Sequence, residues 1–158
     1  MHKYLNQIGI KSTDCCVFNT EEIDEQRNIF FEQEKQEHNF DSRETWNLDY
    51  TSATWLYEHL QMYKEYASSI VNLNFYTFDI PVLYEIPSEK LTFKNNSIIA
   101  DSYFSINIEN KTQLEAINLI IEYLEHYLID ENKYKTNTNT YLKYAFKIYS
   151  IIILSMWW

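Results

Sequence analysis

The chain has 158 residues, and its 46% hydrophobic and 17% aromatic content can bury the core of one ordinary domain, which excludes intrinsic disorder as its overall state. Its formal net charge of −10 opposes binding to a nucleic-acid backbone and favours a basic protein as partner. A single glycine excludes the glycine-rich phosphate loops of nucleotide-dependent enzymes, so turns that need positive φ must fall on asparagine.

The cysteines and the two ends of the chain predict a cytoplasmic protein. Cys15 and Cys16 are adjacent, and a disulfide between neighbours is strained, so we expect two thiols in a reducing compartment. Polar residues are spread through residues 1–10, so this segment does not resemble a secretory signal. The apolar run 148–158 is shorter than the roughly 20 residues that span a bilayer, and it predicts a buried terminal helix.

Residues 1–39 predict an acidic helical extension. Residues 1–18 are weakly patterned and allow a short helix or a pair of strands. Asn19 and Glu22 have the spacing of a capping box, so we expect a helix over residues 20–37. Its apolar stripe is narrow, and its acids form the candidate partner-binding face, with an ordinary solvated face as the alternative. These acids are Glu21, Glu22, Asp24, Glu25, Glu32, Glu34 and Glu37.

The strongest helical pattern covers residues 48–70, after the helix-starting residues Asp41 and Ser42. Apolar and small side chains recur there at steps of three and four residues, which predicts a core-facing stripe. The stripe comprises Leu48, Ser52, Trp55, Leu56, Leu60, Tyr63, Ala67 and Ile70. The polar residues Glu58, Gln61, Lys64 and Glu65 are expected on the outside.

A change of period after residue 70 predicts a small antiparallel sheet inserted at about residues 72–108. Residues 71–78 alternate apolar and polar side chains like a half-buried strand. Pro81 and Pro87 bracket another short extended run, which we expect at a sheet edge. Residues 91–93 and 98–108 add two β-favouring stretches, so the prediction is two to four strands.

Two helices complete the predicted fold. Thr112 and Glu115 form a second capping box, followed by a clean apolar stripe over residues 112–129. The last helix, over residues 140–154, is apolar nearly all round from Ile148, so we expect other helices to cover it. The fold class is therefore α+β, mainly helical, with three to five helices and a small antiparallel sheet. We expect one domain over residues 1–158, with the extension 1–39 and a core over 40–158.

No motif in the chain predicts catalysis, a metal ion or a cofactor. Cys15 and Cys16 lack a neighbouring cation to activate a thiol, and no serine lies in a Gly-x-Ser-x-Gly elbow. Carboxylate-bridged metal bundles use Glu-x-x-His, and that spacing is absent here. A small hydrolase or metal enzyme remains one hypothesis for the function, and it would use Glu58, His59, Glu122 and His126.

Two segments carry a resemblance to known proteins. Residues 40–50 contain Asp41, Arg43, Thr45-Trp46 and Leu48-Asp49, and the chain ends in the aromatic segment 145–158 with Met156-Trp157-Trp158. Both segments resemble a family of small, mostly uncharacterised proteins encoded by bacteriophages and prophages. The resemblance covers about residues 40–78 and 112–158, whereas residues 1–39 and 80–108 depart from it as additions. It implies a phage origin and no agreed activity.

An acidic phage protein of this size without a catalytic motif also resembles inhibitors of host defence enzymes. Anti-CRISPR proteins that block the RNA-guided DNA nuclease of type II systems fit best, because that target presents basic surfaces made for nucleic acid. The resemblance implies a non-enzymatic inhibitor in the host bacterial cytoplasm. Its partner is the CRISPR effector nuclease, with no direct nucleic-acid or membrane contact. The alternative is a phage structural or assembly protein, a homodimer joined through the C-terminal helix.

Overall fold

The computed structural model describes residues 3–10, 25–39, 42, 48–87, 103–129 and 138–156. These ranges contain five α-helices, one two-stranded antiparallel sheet and a terminal 3-10 turn, which confirms the predicted mainly helical α+β class. In chain order the elements are α1 (Lys3–Gln7), α2 (Glu25–His38), α3 (Leu48–Ala67), β1 (Thr77–Glu85), β2 (Phe104–Thr112), α4 (Gln113–Ile129), α5 (Thr138–Ile152) and the turn Ile153–Ser155. The chain forms two compact units, residues 1–58 and 59–158.

In the first unit, α1 is held by hydrogen bonds at both ends. The Glu58 carboxylate accepts the N–H groups of Tyr4 and Leu5, at 2.9 and 2.8 Å, which helical bonds leave unsatisfied in a first turn. After the helix, the Ile10 N–H donates to the Leu5 carbonyl at 3.0 Å across Gly9, whose φ is 81°. This left-handed cap is the position where a side chain is most strained, and the only glycine of the chain occupies it.

Helix α2 ends on an asparagine, as the scarcity of glycine predicts. Asn39 has φ of 66°, and its N–H donates to the Lys35 carbonyl at 2.9 Å. Asparagine tolerates this conformation better than other residues with side chains. The expectation that positive φ falls on asparagine is therefore confirmed here, and α2 ends within one residue of the predicted limit at residue 37.

Helix α3 lies where it was predicted, but the prediction of its buried face is partly wrong. The predicted stripe residues Leu56, Leu60 and Ala67 are buried, whereas Leu48 and Trp55 are exposed. The buried residues of the helix are instead Tyr50, Ala53, Thr54, Leu56, Tyr57, Leu60 and Ala67. Apolar residues lie on two sides of this helix, so spacing alone could not choose the side that is buried. The helix also ends at Ala67 rather than near residue 70, and turns begin directly after it.

The sheet of the second unit contains fewer strands and different limits than predicted. Residues 71–76 form turns and irregular structure, so the strand predicted over 71–78 is wrong. Instead β1 continues through Pro81 and pairs with β2 from Thr77 opposite Thr112 to Glu85 opposite Phe104. Hydrogen bonds from Ile86 to Tyr103 and from Gln113 to Tyr76 extend this ladder at both ends. The stretch predicted over residues 91–93 lies outside the described residues.

Proline fits inside β1 because of the direction in which its backbone nitrogen points. The ladder bonds use the even-numbered residues of β1, so the nitrogens of Pro81 and Leu83 point away from β2. Pro81 therefore loses no ladder bond. The Leu83 N–H donates to the Tyr123 hydroxyl of α4 at 2.8 Å. Burial raises the pKa of Tyr123 to about 12, so the hydroxyl stays protonated at neutral pH.

Helices α4 and α5 pack together and against the sheet. The buried residues of α4 include the predicted Ile117, Ile120 and Leu124. At one end of the pair, the Tyr141 ring of α5 packs edge-on against Phe104, with ring centroids 5.1 Å apart. Near the same end, Tyr141 stacks on His126 close to the end of α4, and at the other end Gln113 at the start of α4 donates to the Ser155 carbonyl at 3.4 Å. The two helices are therefore antiparallel.

The prediction that the last helix is covered all round is wrong. Ile148 and Ile152 are fully buried, one turn apart on the side that faces α4 and the sheet. Ile151 and Ile153, on either side of Ile152, are exposed, and Leu154 is 88% exposed. The segment therefore has one buried stripe and an exposed apolar end.

We expect Tyr123→Phe to destabilise the protein by about 1–3 kcal/mol, because it leaves the buried N–H of Leu83 without a partner. Tyr144→Phe is the matched control, since Tyr144 is also a buried tyrosine of the same helix pair and makes no side-chain hydrogen bond to another described residue. Urea denaturation of both variants measures the difference. Equal stability of the two variants would show that the hydroxyl does not hold the strand edge.

Candidate partner-binding surface

Helix α2 carries the described part of the predicted partner-binding face. Three predicted carboxylates lie outside the residues that the structure describes: Glu21, Glu22 and Asp24. Glu25 is the first residue of α2, but its side chain is not among those that the structure describes. Glu32 and Glu37 are exposed, and Glu34 is half-buried.

The exposed surface of α2 mixes carboxylates with large apolar side chains. Ile29 and Phe30 are 56% and 53% exposed. Glu37 follows them by about two helical turns and lies on the same side. Exposed apolar residues that adjoin charged ones are typical of protein-binding surfaces, because the apolar groups gain most when a partner covers them. The face is thus both acidic and apolar, which charge counting alone did not predict.

Glu34 has a structural role within the same unit. Its carboxylate accepts hydrogen bonds from the backbone N–H and the hydroxyl of Ser42, each at 2.9 Å. These bonds fix the chain after α2 to the last turns of that helix. Among the described acids of α2, Glu32 and Glu37 are therefore the ones that a partner can reach without breaking a fold contact.

A second acidic surface lies in the other unit, in an open groove of about 230 Å³ between the sheet and α4. The groove is lined by Val82, Tyr84, Glu109, Lys111, Glu115, Asn118, Leu119 and Glu122. Three carboxylates and one ammonium group give it a negative charge at neutral pH. The sequence patterns did not predict this groove.

Three side chains linked by hydrogen bonds form the sheet side of the groove. The Tyr84 hydroxyl donates to Glu109, and the Lys111 ammonium lies 2.8 Å from the same carboxylate. These hydrogen bonds, that of Lys111 first, hold the pKa of Glu109 below its ordinary value. In return, Glu109 raises the pKa of both Lys111 and Tyr84. Glu109 and Lys111 thus remain a charged pair through the neutral range.

The helix side of the groove begins with the predicted capping box, which is confirmed. The Thr112 N–H donates to the Glu115 carboxylate at 2.7 Å, and the Glu115 N–H donates to the Thr112 hydroxyl at 3.2 Å. The hydrogen bonds from Thr112, that of its backbone first, lower the pKa of Glu115. Glu115 is therefore an ionised acceptor that also stabilises the start of α4.

The groove is suited to holding a cationic side chain. A pKa below the ordinary range keeps Glu109 and Glu115 ionised, so neither is adapted to give or take a proton near neutral pH. Glu122 adds an exposed carboxylate one to two turns further along α4. Carboxylates in this arrangement accept hydrogen bonds from lysine or arginine.

The hypothesis of a hydrolase or metal enzyme rests on Glu58, His59, Glu122 and His126, and two of these side chains make contacts within the fold. Glu58 accepts the two backbone N–H groups at the start of α1. His126 stacks on the Tyr141 ring with centroids 4.5 Å apart, and its Nε2 lies 4.0 Å from Glu122. Within the described ranges, three or more His, Cys, Asp or Glu residues nowhere come close enough together to hold a metal ion.

The signal for the groove was present in the sequence but depended on strand limits. Glu109 and Lys111 are two residues apart, so they share a face only if residues 104–112 form one strand. The predicted strand ended at residue 108, which left both side chains in a connecting segment. A strand extended to the capping box would have placed them on one face.

Glu115→Gln is expected to flatten the acid side of the stability–pH profile. The amide still accepts the Thr112 N–H but carries no charge. Because the folded-state pKa of Glu115 is lowered, its contribution is present above the ordinary value of 4.5 and is lost as pH falls through the folded value. Thermal unfolding between about pH 3 and pH 6 measures this effect. Glu122→Gln, on the same helix, is the control, and an equal change in both variants would contradict the assignment.

No protein-family model matches the chain, and neither a curated protein nor a solved structure matches it. None of the helices in the described ranges has the length and apolar content to cross a membrane.

Proposed function

We propose that this protein is a non-enzymatic inhibitor that binds a basic surface of another protein, and that this partner is a nuclease of host defence. The single observation that carries the proposal is the exposed surface of α2, where Glu32 and Glu37 accompany exposed Ile29 and Phe30 on a chain with net charge −10. The acidic groove beside β2 supports it. Both surfaces suit a partner that is rich in lysine and arginine.

The two kinds of side chain on α2 have different physical roles in binding. Carboxylates attract a positively charged surface over several ångströms, which raises the association rate and selects partners by charge. Apolar side chains gain free energy when a partner removes them from water, roughly 25 cal/mol per Å² of apolar area. A surface with both features can bind a basic protein quickly and hold it.

Enzymes that process nucleic acids present large basic surfaces, because they bind phosphate backbones. The RNA-guided DNA nuclease of type II CRISPR systems holds its nucleic acids in positively charged channels. An acidic protein of this size that occupies such a channel excludes the DNA or RNA without any chemistry. The resemblance of residues 40–50 and 145–158 to phage proteins supports the choice of this partner, and under the proposal the inhibitor acts in the host cytoplasm.

Charge reversal on α2 tests the proposal. We expect Glu32→Lys combined with Glu37→Lys to weaken binding to the nuclease by roughly 10-fold or more, because both carboxylates then repel a basic surface. Titrated into a DNA-cleavage assay with purified type II effector, the wild-type protein should inhibit cleavage. The double variant should require a correspondingly higher concentration.

Glu65→Lys combined with Asp79→Lys is the matched control, because it makes the same change in net charge at exposed positions of the other unit. This control should inhibit nearly as well as wild type. If both variants lose inhibition equally, total charge rather than the α2 surface determines binding. If wild type does not bind the nuclease at all, the proposed partner is wrong.

A second candidate function is a phage structural or assembly protein that acts as a homo-oligomer. The observation that favours it is the exposed apolar end of the chain, where Ile151, Ile153 and Leu154 lie in solvent. Exposed apolar groups that adjoin one another are typical of surfaces that another protein covers. A protein copy seated there would bury them.

Under this second function, Leu154→Asp should convert the oligomer into a monomer, because it places a charge where apolar contact is needed. Light scattering of wild type and variant over a range of concentrations measures the mass. Lys143→Asp, an exposed change at the start of α5, is the control. A wild-type protein that is oligomeric whether or not Leu154 is changed would exclude the chain end as the contact.

A further inference from the structure

The outer edge of β2 presents backbone hydrogen-bonding groups to solvent. The odd-numbered residues of β2 bond to β1, so the even-numbered ones direct their N–H and C=O groups away from it. Within the described ranges, the outward backbone groups of Ile106, Ile108 and Asn110 have no hydrogen-bond partner. Natural sheets normally cover, shorten or charge such an edge, because it pairs readily with another strand.

The side chains beside this edge are apolar rather than protective. Ile106 and Ile108 are 47% and 68% exposed. They lie opposite Leu83 and Pro81, so both point to the same face of the sheet. The nearest charges, Glu109 and Lys111, neutralise each other in their ion pair and lie on the opposite face. In a chain of net charge −10, this strand is locally neutral.

We propose that the edge of β2 pairs antiparallel with the β2 edge of a second copy of this chain, which joins the two sheets into one of four strands. The pairing is centred on Asn107, so that Asn107 faces its own counterpart across a twofold axis. In this register the outward backbone groups of residues 104–110 bond to those of the second copy.

Charge and shape complementarity select this register and this occupant. Ile106 lies opposite Ile108 of the second copy, so both isoleucines are covered by an equal apolar side chain. On the other face, Glu109 lies opposite the Ser105 hydroxyl and Lys111 lies opposite the Tyr103 ring. No like charges oppose each other along the whole strand, which a contact between acidic surfaces of two such chains could not achieve.

Proline substitution tests the pairing directly, because it removes one outward N–H. Ile108→Pro leaves the ladder to β1 intact, as Pro81 does in the neighbouring strand. The twofold axis doubles the loss, so the dimer should dissociate roughly 30-fold more readily. Ile108→Thr is the matched control, since threonine favours strands and keeps the N–H. It should retain more of the dimer than proline does.

Sedimentation equilibrium of the isolated protein measures the association, and amide exchange followed by NMR locates it. We expect the amides of Ile106, Ile108 and Asn110 to become protected as concentration rises, whereas those of Asn107 and Glu109 are protected throughout. Added salt should strengthen the dimer, because it screens repulsion between two chains of charge −10. Binding to a basic partner should instead weaken with salt, which separates this inference from the proposed function.

A protein that stays monomeric at all concentrations would overturn the inference, even if it bound a partner protein through the same edge. A dimer that survives Ile108→Pro but dissociates with Leu154→Asp would also overturn it, because the contact would then be the chain end. If Ile108→Pro fails to fold by circular dichroism, Ile106→Lys combined with Ile108→Lys takes its place. That variant places like charges opposite each other and should be monomeric.

Discussion

The second unit depends on one constraint, the burial of strand β1 from Ile80 to Leu83 on both of its faces. A two-stranded sheet leaves one edge of each strand without ladder bonds, and a buried edge must satisfy its polar groups in another way. In β1 this is achieved by a proline that has no N–H and by a tyrosine hydroxyl that accepts the next outward N–H. The positions of α4 and α5 follow from this requirement, because they supply the hydroxyl and cover the faces.

Burial of β1 leaves β2 at the solvent side of the sheet. Most of β2 is exposed, although it has the same length as its partner. Strand β2 accordingly carries Glu109 and Lys111 on one face, where Glu109 accepts a hydrogen bond from Tyr84 of β1, and two exposed isoleucines on the other. The acidic groove and the open edge of β2 therefore both follow from the burial of β1. They are two surfaces with different chemistry.

The acids in the described ranges include some that hold the fold and others that face solvent. Glu34, Glu58 and Glu115 accept backbone N–H groups at turns and helix starts. A carboxylate used in this way stabilises the local fold, and a partner that took the same oxygen would have to break that contact. The sequence showed a surplus of acids but could not make this division, because it depends on which N–H groups lie nearby in three dimensions. Of the predicted partner-binding residues with a described side chain, Glu32 and Glu37 remain suited to that role.

The sequence by itself determined where the longer helices lie and several of their ends. Capping residues, the single glycine and the three- to four-residue period act through contacts within a few residues, so α4, α5 and the asparagine end of α2 could be predicted closely. The tertiary structure alone decided which side of α3 is buried, where β1 begins and why it accepts Pro81. Those outcomes depend on a partner strand and on tyrosines distant in the chain. A local pattern that fits two arrangements equally well cannot show which of the two the folded protein adopts.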